Sequence, residues 1–559
     1  MLTAVLKRAY RLLFRVPRRT AVLAVPTSPA MEDLSTLLEE AGKSHANGVF
    51  EEALRLYRLA LERLPGGQLH AIAAIHINMG VIQRERVRLP QALDHFREAV
   101  KVAPDLAAAQ YNLGLTLYET SETREAESRL QAAIALDPDL QEAHSSLLCL
   151  YAFTQNQDSA RVLSEHIKWA RKLADPITAR APAHKNDLGL DRQLTIGYVS
   201  ADFKEHSIAR FIDPILSNHD RSQFRIVCYD NWPQSDETTQ RLRQHADVWR
   251  KIDRLDDDQA AELVRADGVD ILVDLSGHTT GHRLLMFARK PAPVQASWLG
   301  YMCTTGMSAM DWHITDIYMD PPGSGETRYV ERLAYIDCAA AFEPHPDSPP
   351  VGPLPALTNG FVTFGSFNNY AKIGDPVIAV WTRLLAELPD ARILLVLLGG
   401  DEPDIQASVH ARFESLATVP GISRRVEVIG RRSLKEFLRL FHRVDIALDP
   451  FPCSGGTTSL HSLWMGVPLV ALEGGAELAR GTSGMLLPCG LADLVAHDER
   501  EYLQLNIGLA SNVDRLSDLR ESLRKRMAGI SLLDGASVTR SLESAYHAMW
   551  SDYVGSTRA

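Results

Sequence analysis

Three prolines fix the architecture of the first third of this chain. An alanine stands five residues before each of Pro65, Pro104 and Pro138, at Ala60, Ala99 and Ala133. A large side chain stands eight before (Tyr57, Phe96, Leu130), an alanine twelve before (Ala53, Ala92, Ala126), and a small residue twenty-four before (Ala41, Gly80, Gly114). Small residues let two antiparallel helices approach closely, the large one fills the gap between them, and a proline stops the second helix because it cannot continue the hydrogen-bond ladder. Pro104 and Pro138 are 34 residues apart but Pro65 and Pro104 are 39 apart, so the second unit carries an insertion of about one helical turn.

The pattern resembles the tetratricopeptide repeat. A fourth, degenerate unit follows with Tyr151 and Ala160 in register, and is expected to cap the array and join it to the next domain. Such arrays present a concave surface to peptides or proteins, or simply buttress a neighbour. Ahead of them, residues 1–30 carry Lys7, Arg8, Arg11, Arg15, Arg18 and Arg19. The arginines interrupt every apolar run, so neither a signal-peptide core nor a membrane span is expected there or elsewhere. This segment reads as a capping helix, with a basic helix lying on a membrane as the alternative.

At 559 residues the chain has room for three or four units. A net charge of −11 argues against broad nucleic-acid binding. Six scattered cysteines without a CxxC pair suit reduced thiols in the cytoplasm better than disulfides or zinc.

After a polar linker (176–192) the period changes. LTIGYVS, FRIVCYD, DILVDLS and VQASWLG alternate with helical stretches, the grammar of a helix-covered parallel sheet. A second set follows a Pro-rich linker (346–360): FVTFGSF, RILLVLL, RVEVIG, VDIALDP and PLVALEG. The expected fold is therefore α followed by α/β. Residues 1–30 are a basic segment, 31–175 the repeats, 193–345 a first Rossmann-like lobe, and 361–559 a second one with a C-terminal helix. In open parallel sheets ligands sit at the carboxyl ends of the strands.

Four segments could carry chemistry. In LDPFPCSGGTTSLHSLWMGVP a strand ends at Asp449, Gly455 and Gly456 form a tight loop, and a helix starts at Thr457 and Thr458. Unpaired N–H groups at a helix start, flanked by glycines, suit a diphosphate. It is no Walker A loop, and the bland reading makes Thr457 an ordinary N-cap. In FGSFNNYAKI, Asn368 and Asn369 occupy a strand-end loop and Lys372 supplies a cation for a departing diphosphate, unless it is a plain surface lysine. In GYVSADFKEHSIARF, His206 follows a strand end and can exchange a proton near neutrality, although a structural histidine is commoner. In DLSGHTTGHRLLMF, His278 could hydrogen-bond a sugar or nucleotide, and Thr279–Gly281 are expected to enter a helix. Downstream, Gly300, Thr304 and Thr305 could line the same cleft. RLDDDQ (254–259) reads as a helix start, and no metal site is expected.

The repeats followed by GYVSADFKEH, SWLGYMCTTG, FGSFNNYAKI and CSGGTTSLHSLWMGVP, in that order, resemble the O-linked N-acetylglucosamine transferase family over residues 31–556. The resemblance implies two Rossmann lobes and an inverting, metal-free glycosyltransferase needing no cofactor. Its donor would be UDP-N-acetylglucosamine and its acceptor a Ser or Thr hydroxyl of a protein. His206 matches the histidine near the acceptor, Lys372 the lysine on the leaving diphosphate, and Thr457 and Thr458 the phosphate threonines. Asn369 falls where the family has Gln, His461 at its ribose position, Phe437 at its base position, and Ala371 where a tyrosine precedes the lysine. Related enzymes of this architecture use GDP-fucose. That donor, and a scaffold that binds nucleotide sugar without transfer, are the alternatives.

Overall fold

The computed structural model describes residues 29–154, 158–475 and 477–558. Residues 1–28 of the basic segment 1–30, and with them its two readings, lie outside the described residues. No helix among the described residues is long and apolar enough to cross a membrane. The chain divides into two compact units, one comprising the described residues up to Leu147 with Leu398–Ser408, the other Leu148–Leu397 with Val409 onward.

In the first unit, helices Pro29–Ala46 and Phe50–Arg63, Leu69–Glu85 and Leu89–Val102, and Ala107–Glu119 and Thr123–Leu136 form three pairs. The small and large repeat positions are all buried, and the three prolines are exposed. A Cβ on Gly80 would lie 2.6 Å from the Phe96 ring, and one on Gly114 3.0 Å from Leu130, so the small residue matches its partner's bulk. The insertion lies where the 39-residue spacing requires: Leu69–Glu85 has 17 residues, Ala107–Glu119 has 13. Gly48, Val87 and Ser121, each seventeen before its proline, take left-handed φ of 73°, 62° and 66° at the turn between paired helices. The β-branched Val87 is a genuine outlier there.

The second unit holds two parallel sheets. The first contains β1 (Leu194–Ser200), β2 (Phe224–Asp230), β3 (Val248–Lys251), β4 (Ile271–Asp274), β5 (Val294–Ser297), β6 (Trp312–Thr315) and β7 (Arg332–Tyr335), in the order β3-β2-β1-β4-β5-β6-β7. Ile196 sits between Ile226 and Ile271 in register. The second contains β8 (Thr363–Ser366), β9 (Arg392–Leu397), β10 (Val426–Gly430), β11 (Ile446–Leu448), β12 (Leu469–Leu472) and β13 (Val495–Ala496), in the order β10-β9-β8-β11-β12-β13. Both orders reverse direction beside the first strand, between β1 and β4 and between β8 and β11. β3, β6, β7 and β13 are not among the expected strands; β3 and β7 are only partly buried and so lack the continuous apolar run of a strand covered on both faces.

Two domain assignments differ from expectation. The repeat unit ends at Leu147, not 175. Leu148, Trp169, Ala170 and Ala174 instead join a core with Val199, Val227 and Leu272 of the first lobe, and Ala160 is exposed. The C-terminal helix Gly535–Arg558 belongs to the first lobe. Its buried face (Val538, Leu542, Tyr546, Met549, Trp550, Val554) shares a core with Leu194, Ile196 and Tyr198, since the first sheet offers the apolar surface that this stripe needs. The Pro-rich linker also contains a short helix, Pro355–Asn359.

Candidate functional site

The second lobe builds its site at the junction of β8 and β11, where connections leave in opposite directions and open a crevice at the carboxyl ends. The loop after β8 carries Asn368 and Asn369. Asn369 Oδ1 accepts from the Ala371 N–H at 3.3 Å, capping the turn Tyr370–Lys372. The loop after β11 leads into helix Thr457–Trp464. Two bonds join these loops: Lys372 Nζ donates to the Ser454 carbonyl at 2.7 Å, and Thr458 Oγ1 donates to Asn368 Oδ1 at 2.7 Å. Residues from two separate motifs thus meet.

The helix starts where its sequence indicates, but Thr457 is not the N-cap. Gly456 is, with φ 62° and ψ −121° and no side-chain cap. Only glycine adopts this backbone readily. Among the described residues, the N–H groups of Gly456, Thr457 and Thr458 donate to no protein acceptor. An uncapped helix start concentrates partial positive charge and free donors, the requirement for holding a diphosphate. Beneath it Asp449 is fully buried. Its Oδ1 accepts from the Gly455 N–H at 2.8 Å and Ser459 Oγ at 3.1 Å. Burial pushes this carboxyl up to about 6, against the pull of hydrogen bonds from Thr482, Gly455 and Ser459 and of the Lys372 charge.

His461, one turn into the helix, is 5% exposed and its Nδ1 has no partner among the described residues. Its ring stands edge-on to Phe342 at 5.6 Å and Phe437 at 5.8 Å. Burial first, then the charges of Arg210 and His345, push it down to about 4, so it is neutral at physiological pH. Phe342 also meets Phe211 at 5.8 Å, and this ring chain links the first lobe's helix Ser207–Asn218 to His461 of the second lobe.

His206 is the N-cap of that helix, at the junction of β1 with β4. The Ile208 N–H donates to its Nδ1 at 3.3 Å, which leaves the hydrogen of a neutral ring on Nε2. Burial and Lys204 lower its pKa against the opposing pull of Asp202.

The remaining residues of the first lobe are placed differently. No helix begins at Thr279–Gly281; the helix is Leu284–Ala288, too short and too late to form an anion site from these threonines. The His278 ring is 1% exposed, packed edge-on against Trp169 at 4.5 Å and His166 at 5.2 Å, with Nε2 3.4 Å from the Thr305 carbonyl. Thr304 and Thr305 are wholly buried and give their hydroxyls to the Glu331 carboxylate. A Cβ on Gly300 would lie 1.9 Å from the Leu275 carbonyl oxygen, so this glycine permits two loops to touch. Their geometry is that of loop support. RLDDDQ forms a helix start, with Asp256 capping Gln259.

Sequence reading passed over Asp449 as a binding-site residue, along with Asp274, which ends β4. Asp274 accepts from the N–H groups of Gly277 at 2.7 Å and Ser276 at 3.2 Å, and burial pushes it up to about 7. The available signal was a lone carboxylate closing a buried strand next to the predicted crevice.

The profile of glycosyl transferase family 41 matches residues 140–345 and 354–542. The chain is 38% identical over 426 residues to a Petunia hybrida protein named "Probable UDP-N-acetylglucosamine--peptide N-acetylglucosaminyltransferase SPINDLY", covering 75% of this chain and 45% of that one. Its Arabidopsis thaliana namesake is 37% identical over 424 residues, covering 75% and 46%. The chain thus spans about half the length of the curated relatives it matches. A solved mutant O-GlcNAc transferase from Thermobaculum terrenum superposes with a TM-score of 0.86 at 36% identity, covering 95% of this chain and all of that one.

Proposed function

The chain belongs to glycosyl transferase family 41, and from that premise we propose that it transfers N-acetylglucosamine from UDP-N-acetylglucosamine to Ser or Thr hydroxyls of proteins. The observation that carries this reading is the joined loop pair at the β8–β11 junction. A cation on Lys372 and three free N–H groups at Gly456–Thr458 converge where a nucleoside diphosphate would lie.

The acceptor oxygen attacks the anomeric carbon from the face opposite the diphosphate. The new C–O bond forms as the bond to the diphosphate oxygen breaks, the hydroxyl proton is released to water, and the configuration inverts. Negative charge grows on the leaving phosphate, where Lys372 and the helix start stabilise it without a metal or cofactor. Preorganised charge of this kind supplies most of the rate enhancement in many enzymes. With its Nδ1 engaged by the helix, a neutral His206 carries its hydrogen on Nε2 and can act there as a donor. That favours a positioning role on the sugar or acceptor over a proton-accepting one. The acceptor polypeptide lies along the repeat groove. Six cysteines without a disulfide support a cytoplasmic setting.

Calorimetry of UDP and GDP binding with EDTA present tests the donor half. Preference for UDP, followed by transfer from UDP-N-acetylglucosamine to peptide, supports the reading. Preference for GDP moves the donor to a GDP-sugar, and binding without transfer leaves a nucleotide-sugar scaffold. Deleting the repeats should abolish transfer to protein acceptors; unchanged protein transfer would refute the groove.

A further inference from the structure

We propose that Asp449 is a positioning residue for the donor, holding the turn Ser454–Thr458 in its phosphate-binding shape before any donor arrives. This rests on the nucleotide-sugar reading above. The carboxylate follows β11 directly and is 2% exposed. A single oxygen, Oδ1, accepts both the Gly455 N–H and the Ser459 hydroxyl. Those two donors bracket the three N–H groups that have no protein acceptor. Asp449 thus takes the inward donors on either side and leaves the three between them for a ligand.

The turn has no slack around this anchor. A Cβ on Gly455 would lie 2.7 Å from Asp449 Oδ1 and 2.2 Å from Ser459 Oγ. Thr482 and Ser459 bond through their hydroxyls at 3.1 Å, and Tyr502 donates to the Asp449 carbonyl at 3.0 Å, fixing both ends of the net. Lys372 enters the same net through the Ser454 carbonyl.

The first lobe uses the same device at the equivalent place. Asp274 closes β4 beside β1 as Asp449 follows β11 beside β8, and it too clamps a following glycine N–H. There the turn opens no helix of useful length, whereas in the second lobe it opens directly onto Thr457. Only the Asp449 clamp therefore acts on a phosphate seat.

The test compares parent, Asp449→Asn, Asp449→Ala and Ser459→Ala by calorimetry with UDP and GDP, by donor KM and kcat, and by melting temperature. Because both bonds end on one oxygen, which an amide retains, Asp449→Asn should keep nucleotide Kd and donor KM within about threefold. Asp449→Ala should weaken both at least roughly tenfold, and Ser459→Ala should fall between. Unchanged nucleotide affinity in a folded Asp449→Ala protein overturns the proposal, as does equal damage in the Asn and Ala variants. Should Asp449→Ala not fold, Ser459→Ala decides: parental affinity overturns the inference, several-fold weaker binding supports it. A parent that binds neither nucleotide defeats the underlying reading instead.

Discussion

The Lys372 ammonium and the Ser454 carbonyl meet at 2.7 Å, although 82 residues separate them in the chain. That bond places the one cation of the β8 loop against the turn that opens helix Thr457–Trp464. Replacing Lys372 with alanine removes the charge proposed to meet the leaving group while sparing the core. Turnover should fall by about 10²–10³-fold with the melting temperature nearly unchanged. Steady-state kinetics with a peptide acceptor checks this, and near-parental kcat would remove Lys372 from the leaving-group role.

Gly456 faces open space, yet its φ of 62° and ψ of −121° suit glycine alone. Gly456→Ala should therefore cost about 1–3 kcal/mol of strain, released by reshaping the turn. Nucleotide affinity should drop more than the melting temperature does. A variant with parental Kd for UDP would mean that this backbone shape does not serve the donor.

Within the repeats, Gly80→Ala drives a methyl to 2.6 Å from the Phe96 ring. Overpacking of this kind costs about 1–3 kcal/mol, partly offset by about 1 kcal/mol of helix propensity. In a Phe96→Leu background the penalty should shrink, because Gly114 and Leu130 already show the looser fit. Thermal unfolding of the four proteins of this cycle measures the coupling, and strict additivity would exclude the packing argument.

Burial pushes His166 down to about 4, while its ring nitrogens engage the Val162 carbonyl and the Tyr301 hydroxyl. A histidine depressed below its unfolded value of about 6.5 contributes stability that is complete above that pH. The contribution is lost as pH falls toward 4, because only the unfolded chain takes up the proton. The raised carboxyls Asp274 and Asp449 act in the opposite sense, so the informative quantity is a difference between proteins. The stability gap between parent and His166→Phe should narrow by roughly 3 kcal/mol between pH 7.5 and 4. A gap independent of pH in denaturant titrations would show that His166 is protonated alike in both states.

Trp550 is 1% exposed in the first lobe's core, with Arg192 stacked 4.8 Å above it and its Nε1 donating to the Gly189 carbonyl. Trp550→Ala should destabilise the first lobe by about 3–5 kcal/mol. Hydrogen exchange should rise in β1, β2 and β4 before the second sheet responds; the reverse order would return the helix to the second lobe.

The sequence alone carried whatever has a short-range physical cause. Helix pairs follow from small and large residues at fixed distances from a proline, because steric fit between adjacent helices repeats with the chain. Buried parallel strands show as apolar runs because both faces are covered, and the helix start at Thr457 shows because glycines and hydroxyls precede it. Edge strands such as Val248–Lys251 and Arg332–Tyr335 left no such trace, since partial exposure relaxes their composition. Tertiary structure decided what depends on distant partners. It brought Lys372 to Ser454 and Thr458 to Asn368, gave Asp449 the Gly455 and Ser459 donors, and turned Thr304 and Thr305 inward to Glu331. It also moved the last helix onto the first lobe, because an amphipathic stripe states that it must be covered but not by which sheet.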